Sequence, residues 1–327
     1  VPNASILGPI GHSVTDWERA FFRDSDPLGF IVFARNVDTP DQLRRLTSDL
    51  RDAVGRDAPI LIDQEGGRVQ RMREPHWREW LPPLEQAALA SDTARSFYIR
   101  SRIMADELRG VGIDANCAPT CDIAGPETHP FLRNRCLGED PITVIQNARA
   151  TADGLLDGGV LPVMKHMPGH GRGTVDSHLG LPVADVALDV AADWDFAPFR
   201  GLNDLPMGMT AHIIFSAVGM SPSTQNPDMI KLIRNEIGFD GLLMSDDISM
   251  EALSGTVAER TTASISAGCD VVLHCNGDPA EMQAVTDAAG TMTDCAVART
   301  HAALAQRKTP DDIDIAALSA ELEALLA

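Results

Sequence analysis

The sequence predicts an α/β fold, a single (β/α)8 barrel of the TIM type. Eight short apolar runs bounded by turn residues recur along the chain, and longer segments with helical spacing lie between them. That alternation is the pattern of parallel strands joined by helices. A third observation argues against the alternative of an open sheet: no G-x-G-x-x-G turn follows an early strand, as expected in a doubly wound dinucleotide-binding sheet.

In order, the runs are SILGPI (5–10), GFIVFA (29–34), PILID (59–63), IDANCAP (113–119), VLPVMK (160–165), MGMTAHI (207–213), GLLMSD (241–246) and DVVLHC (270–275). Helices are predicted over 40–54, with Asp38 or Thr39 as cap and Pro40 in the first turn, and over 86–110, 143–158, 226–237 and 278–289. The tail 310–327 reads as a closing helix. No Pro/Gly/Ser linker or low-complexity stretch divides the chain, so residues 1–327 are expected to form one catalytic domain.

Composition narrows the functional classes. The 327 residues are 44% hydrophobic, enough for a large core, and carry a formal net charge of −20 with no basic patch. Charge repulsion therefore disfavours nucleic acid and anionic membrane surfaces as partners. No apolar run approaches the length of a membrane span, and the start VPNASILGPIG has no signal-peptide pattern. The six cysteines form no C-x-x-C pair. They are expected as free thiols in a reducing cytoplasm.

In a parallel barrel, functional groups gather at the C-terminal ends of the strands. Polar residues do collect there: Arg35 and Asn36, then Asp63, Glu65, Arg68 and Arg71, then Asp122, then Lys165, His166, His170, Asp176 and His178, then His212, then Ser245, Asp246 and Asp247, then Asn276. Such a ring suits a hydroxyl-rich ligand, because each buried hydroxyl left without a partner costs about 1–3 kcal/mol. Of the three lysines (Lys165, Lys231, Lys308), only Lys165 lies in a dense polar motif. Asp246 and Asp247 both follow the buried run GLLMS, and alternation allows one to face the mouth; spacing does not say which. His166 and His170 flank Pro168 in a Gly-rich loop and so do not share a helix face, which argues against a zinc pair. Asp176, two residues before His178, is placed to orient an imidazole that exchanges protons.

The four motifs D-Q-E-G-G-R-V, K-H-M-P-G-H-G followed by D-S-H, M-T-A-H and S-D-D-I-S-M, collinear over roughly residues 8–277, resemble the family 3 glycoside hydrolases. They look most like its bacterial β-N-acetylhexosaminidases of cell-wall recycling. The resemblance implies Asp246 as nucleophile, His178 as acid/base assisted by Asp176, and Asp63, Arg71, Arg135, Lys165 and His166 as sugar-binding residues. Two segments depart from the pattern: R-C-L-G-E-D-P around Arg135 carries Cys136 and Leu137, and Met167 stands where Phe is common.

A retaining glycosidase needs one group to attack the anomeric carbon and another to protonate the leaving oxygen. Larger relatives draw an acidic acid/base from a second domain for which this chain has no room, so the resemblance implies a histidine in that role. It further implies a small carbohydrate substrate, terminal N-acetylglucosamine linked β-1,4 to anhydro-N-acetylmuramic acid with or without peptide, and neither metal nor organic cofactor. Phosphate in place of water, or another β-glycoside, stays open within the family. From other classes, a Lys165 Schiff-base aldolase and a non-catalytic sugar-binding barrel also fit the fold.

Overall fold

The computed structural model describes residues 1–174 and 180–327. Eight parallel strands close a barrel: β1 (Asn3–Leu7), β2 (Pro27–Val32), β3 (Ile60–Ile62), β4 (Ala115–Asn116), β5 (Leu161–Met167), β6 (Met207–Thr210), β7 (Leu242–Asp247) and β8 (Val271–His274). Closure is between β1 and β8, with Ser5 opposite Val272 and Leu7 opposite His274. Each of the eight predicted runs overlaps a barrel strand. Several strands are shorter than their runs; β4 ends before Pro119, which has no N–H for the ladder.

The strands are buried on both faces, as a barrel between side-chain layers and helices demands. β2, β3, β5 and β6 are buried along their whole length.

Helix Pro40–Val54 has the predicted bounds. Thr39, not Asp38, caps it by accepting from the Gln42 N–H, and Leu43, Leu46 and Leu50 form its buried stripe. The predicted helix 86–110 is two helices, Pro83–Leu89 and Thr93–Arg109. Asp92 divides them because its side chain accepts from the Arg95 N–H at 3.0 Å, capping a new helix instead of continuing the old one. Segment 226–237 runs as helix Pro227–Leu232 and then widens to a π-turn over Ile233–Ile237. The tail forms helix Ile315–Leu325, held to Thr93–Arg109 by buried Leu318 and Leu322 and by a bidentate Arg95–Glu321 pair at 2.7 and 2.9 Å. A short parallel pair, Val183–Ala184 with Ile214–Phe215, lies outside the barrel. All six cysteines are free, five of them buried.

Candidate active site

The loop after β3 turns back at once. Gly66 (φ 109°) and Gly67 (φ 59°) take left-handed conformations, and the N–H groups of Glu65 and Gly66 both donate to the carbonyl of Val69, at 2.9 and 3.0 Å. A Cβ on Gly66 would stand 1.8 Å from Nη2 of Arg100, so that guanidinium fits only against glycine. Arg100 is buried, donating to the Glu65 carbonyl and, at 2.6 Å, to Gln86. The turn thereby fixes Glu65 inward and leaves Arg68 exposed at its tip.

Two carboxylates and three cations interlock beneath this turn. Lys165 donates from Nζ to Asp63 at 2.8 Å and lies 2.6 Å from Glu65. Arg135 grips Glu65 with two bonds of 2.9 and 2.8 Å, and Arg71 reaches Asp63 at 3.2 Å. Burial would raise both carboxyls, but Lys165 and Arg71 hold Asp63 well below the usual carboxylate range, and Arg135 and Lys165 do the same for Glu65. Burial would likewise lower the Lys165 amine, yet Asp63 and Glu65 push it up. A Schiff-base nucleophile must be neutral, whereas the two carboxylates against Lys165 favour its charged form, so the geometry speaks against the aldolase alternative.

Lys165 and His166 are consecutive on β5, and both reach the barrel mouth. A bulge makes this possible: Met164 pairs with Gly208 but Met167 with Thr210, so three steps on β5 face two on β6 and strict alternation lapses. Asp122 accepts from Nδ1 of His166 at 2.7 Å and from the His170 N–H at 2.6 Å. The other ring nitrogen of His166 faces Nη2 of Arg135 at 3.4 Å. His170 is buried beside it with no hydrogen-bond partner on either ring nitrogen among the described residues, and burial pushes its pKa down to about 4.

A second bulge ends β7, where Val271 pairs with Met244 but Leu273 with Asp247. Asp246 and Asp247 therefore both line the mouth, contrary to simple alternation. Their chemistry separates them. Asp247 accepts from the Ser249 N–H (3.0 Å), the Ser249 hydroxyl (2.6 Å) and the Cys275 N–H (3.2 Å). Among the described residues Asp246 accepts one bond, from the Asp247 N–H at 2.8 Å, and most of its lone-pair sites are left open by them. Burial opposes its charge, but His212, His166, that N–H and Lys165 hold the carboxyl below its ordinary value. His212 braces the turn by donating from Nε2 to the Asp247 carbonyl at 2.9 Å, with Nδ1 2.8 Å from the Thr224 hydroxyl.

Asp63, Arg71, Arg135, Lys165, His166, His170, Asp246 and Asp247 line one cavity of about 310 Å³, with Phe33, Arg68, Phe131 and Met250 among its other walls. That is the small end of ligand sites, matching one sugar ring more than a chain of them.

Residues 14–306 match the glycosyl hydrolase family 3 N-terminal domain. The chain belongs to glycoside hydrolase family 3. It is 36% identical over 284 residues to a beta-hexosaminidase of Alkalilimnicola ehrlichii, covering 83% of this chain and 81% of that one. A beta-hexosaminidase of Stenotrophomonas maltophilia is 34% identical over 281 residues, 83% of each chain. Among solved structures, NagZ from Neisseria gonorrhoeae in complex with N-trifluoroacetyl-D-glucosamine has a TM-score of 0.88 at 27% identity, covering 100% of this chain and 98% of that one. A family 3 beta-N-acetylglucosaminidase from Paenibacillus sp. has a TM-score of 0.89 at 28% identity, and this chain, covered to 98%, spans 66% of it.

This family 3 hydrolase gathers six of the expected site residues, Asp63, Arg71, Arg135, Lys165, His166 and Asp246, around the one cavity. Asp176 and His178 lie outside the described residues. Arg35, Asn36, Ser245 and Asn276 are spent on structure: Arg35 and Asn36 hold backbone carbonyls of the first loop, Ser245 accepts from the Leu273 N–H, and Asn276 meets Glu281. The departures near Arg135 and at Met167 are buried packing, with Cys136, Leu137 and Met167 at most 4% exposed. Arg100, Gln86 and Thr224 were not anticipated; they sit in ordinary helical or turn sequence and matter only through tertiary contact. No group of three His, Cys, Asp or Glu placed to hold a metal occurs among the described residues, and no helix there is long and apolar enough to cross a membrane.

Proposed function

We propose that this chain, acting as one catalytic domain, is a retaining exo-β-N-acetylglucosaminidase. It removes terminal β-1,4-linked N-acetylglucosamine from muropeptide fragments, N-acetylglucosaminyl-anhydro-N-acetylmuramic acid with or without peptide, during peptidoglycan recycling. The observation that carries the reading is the uncommitted, ionised carboxylate of Asp246 at the end of β7, beside a cavity of about 310 Å³. The match in fold to a protein holding N-trifluoroacetyl-D-glucosamine and the identity to beta-hexosaminidases support the sugar. Six free cysteines support a reducing compartment, the bacterial cytoplasm.

Asp246 attacks the anomeric carbon as the glycosidic C–O bond breaks, and His178 gives its proton to the departing oxygen. The resulting glycosyl ester is opened by water, which loses a proton to His178 as its oxygen bonds to the anomeric carbon and Asp246 leaves. Asp176 orients His178. Asp63, Arg71, Arg135, Lys165 and His166 hold the sugar, and Glu65 keeps two of those cations in place. The test is release of para-nitrophenol from its β-N-acetylglucosaminide and not from its β-glucoside. Preference for the glucoside would overturn the reading, and a sugar phosphate formed in added phosphate would convert it to a phosphorylase.

A further inference from the structure

Four cations line the cavity: Arg68, Arg71, Arg135 and Lys165. Three are committed to carboxylates, Arg71 and Lys165 to Asp63, and Arg135 and Lys165 to Glu65. Arg68 has no carboxylate partner among the described residues. It is also the exposed one, carried at the tip of the Gly66–Val69 turn. Its position is nevertheless defined, because its guanidinium lies 5.1 Å from the ring centre of Phe131, a residue 7% exposed that also stands 5.6 Å from Arg135. Phe131 thus links the buried cation of the inner cavity to the cation at its rim.

We infer that Arg68 is a specificity-determining residue of the leaving-group side, where it binds a carboxylate on the sugar that departs. This rests on the hexosaminidase reading above. In an exo-acting enzyme the terminal sugar fills the inner, buried end and the leaving group lies toward solvent, the end that Arg68 lines. The chain carries a net charge of −20, so an anionic leaving group is repelled at long range and needs a local cation to be accepted. A guanidinium held near an aromatic ring keeps its planar set of N–H donors, which matches a carboxylate.

The carboxylate has two sources in muropeptides: the lactyl group when the peptide is absent, and the peptide itself when present. Three disaccharides separate them: the free lactyl acid, its neutral methyl ester, and the peptide-bearing form. Wild-type enzyme is expected to favour the acid over the ester by about tenfold in kcat/KM, as for one charge-assisted hydrogen-bonded pair. Arg68→Ala should erase that preference, Arg68→Lys should keep part of it, and added salt should shrink it. A preference shown by the peptide-bearing form alone moves the contact to the peptide and overturns the lactyl assignment. An acid/ester ratio near one in the wild type, which needs no variant, or a preference that survives Arg68→Ala, overturns the inference. Failure of wild-type enzyme to cleave even the neutral ester would instead count against the hexosaminidase reading.

Discussion

Asp247 donates its backbone N–H to Asp246 at 2.8 Å while its own carboxylate turns back to Ser249 and Cys275. The bulge at the end of β7 brings both side chains to the mouth, and the hydrogen bonds then divide the work. Asp247 holds the turn, while Asp246 accepts a single bond among the described residues.

Replacing the two should therefore give different failures. Asp246→Asn is expected to lower turnover of the aryl N-acetylglucosaminide by at least about 10⁴-fold, the scale of losing a covalent nucleophile, while the urea midpoint stays near wild type. Asp247→Ala leaves the Ser249 and Cys275 donors unpaired, so it should cost about 1–3 kcal/mol of stability. Paired kinetics and denaturation curves check this; near-normal turnover in Asp246→Asn would remove it as nucleophile.

For His178, the readout is how the loss depends on the leaving group. His178→Ala should impair the natural disaccharide far more than a para-nitrophenyl glycoside, whose leaving group needs little protonation, and azide or formate should restore part of the aryl activity. Equal losses on both substrates, with no rescue, would take the acid/base role from this residue.

Glu65 ties stability to the binding residues. Glu65→Ala strands the buried cations Lys165 and Arg135, so a loss of about 3–5 kcal/mol is expected at pH 7. Because the folded carboxyl is held below its ordinary value of 4.5, the wild-type contribution is complete above that pH and fades as pH falls through the lower folded value. Urea unfolding of Glu65→Gln from neutral to acid pH should show a flatter acid decline than wild type. Identical slopes would mean that Glu65 is not charged in the fold.

His170 gives the opposite group type with the same direction. Its folded pKa is pushed down to about 4 from 6.5 by burial, so the unfolded chain takes the proton first. Stability is therefore lost as pH falls from about 6.5 toward 4, and His170→Leu should remove that part of the slope while costing little at pH 7, since neither ring nitrogen has a partner among the described residues. Imidazole NMR checks it directly: a titration midpoint near 6.5 for His170 would contradict its buried, neutral state.

The sequence announced its barrel because strand and helix periods alternate eight times, a pattern set by local burial. It also announced the residues at strand ends, since the fold sends them to one mouth. What it hid depends on contacts between distant segments. The bulges near Lys165–His166 and Asp246–Asp247 break alternation through register with neighbouring strands, so both members of each pair reach the mouth. Asp92 divided a helix that periodicity had joined, because one side-chain cap outweighed continued helical spacing. Arg100 looks like a surface arginine in its helix, yet it is buried against Glu65 and Gln86. The role of Asp247 as a brace, and hence the freedom of Asp246, was visible only in its bonds.

The covalent intermediate tests the central claim most directly. Intact-protein mass spectrometry after treatment with a fluorinated N-acetylglucosaminyl donor should show one added glycosyl group, and peptide mapping should place it on Asp246. A label on Asp247, Asp63 or any other side chain, or complete turnover of a slow donor with no adduct at all, would contradict the account.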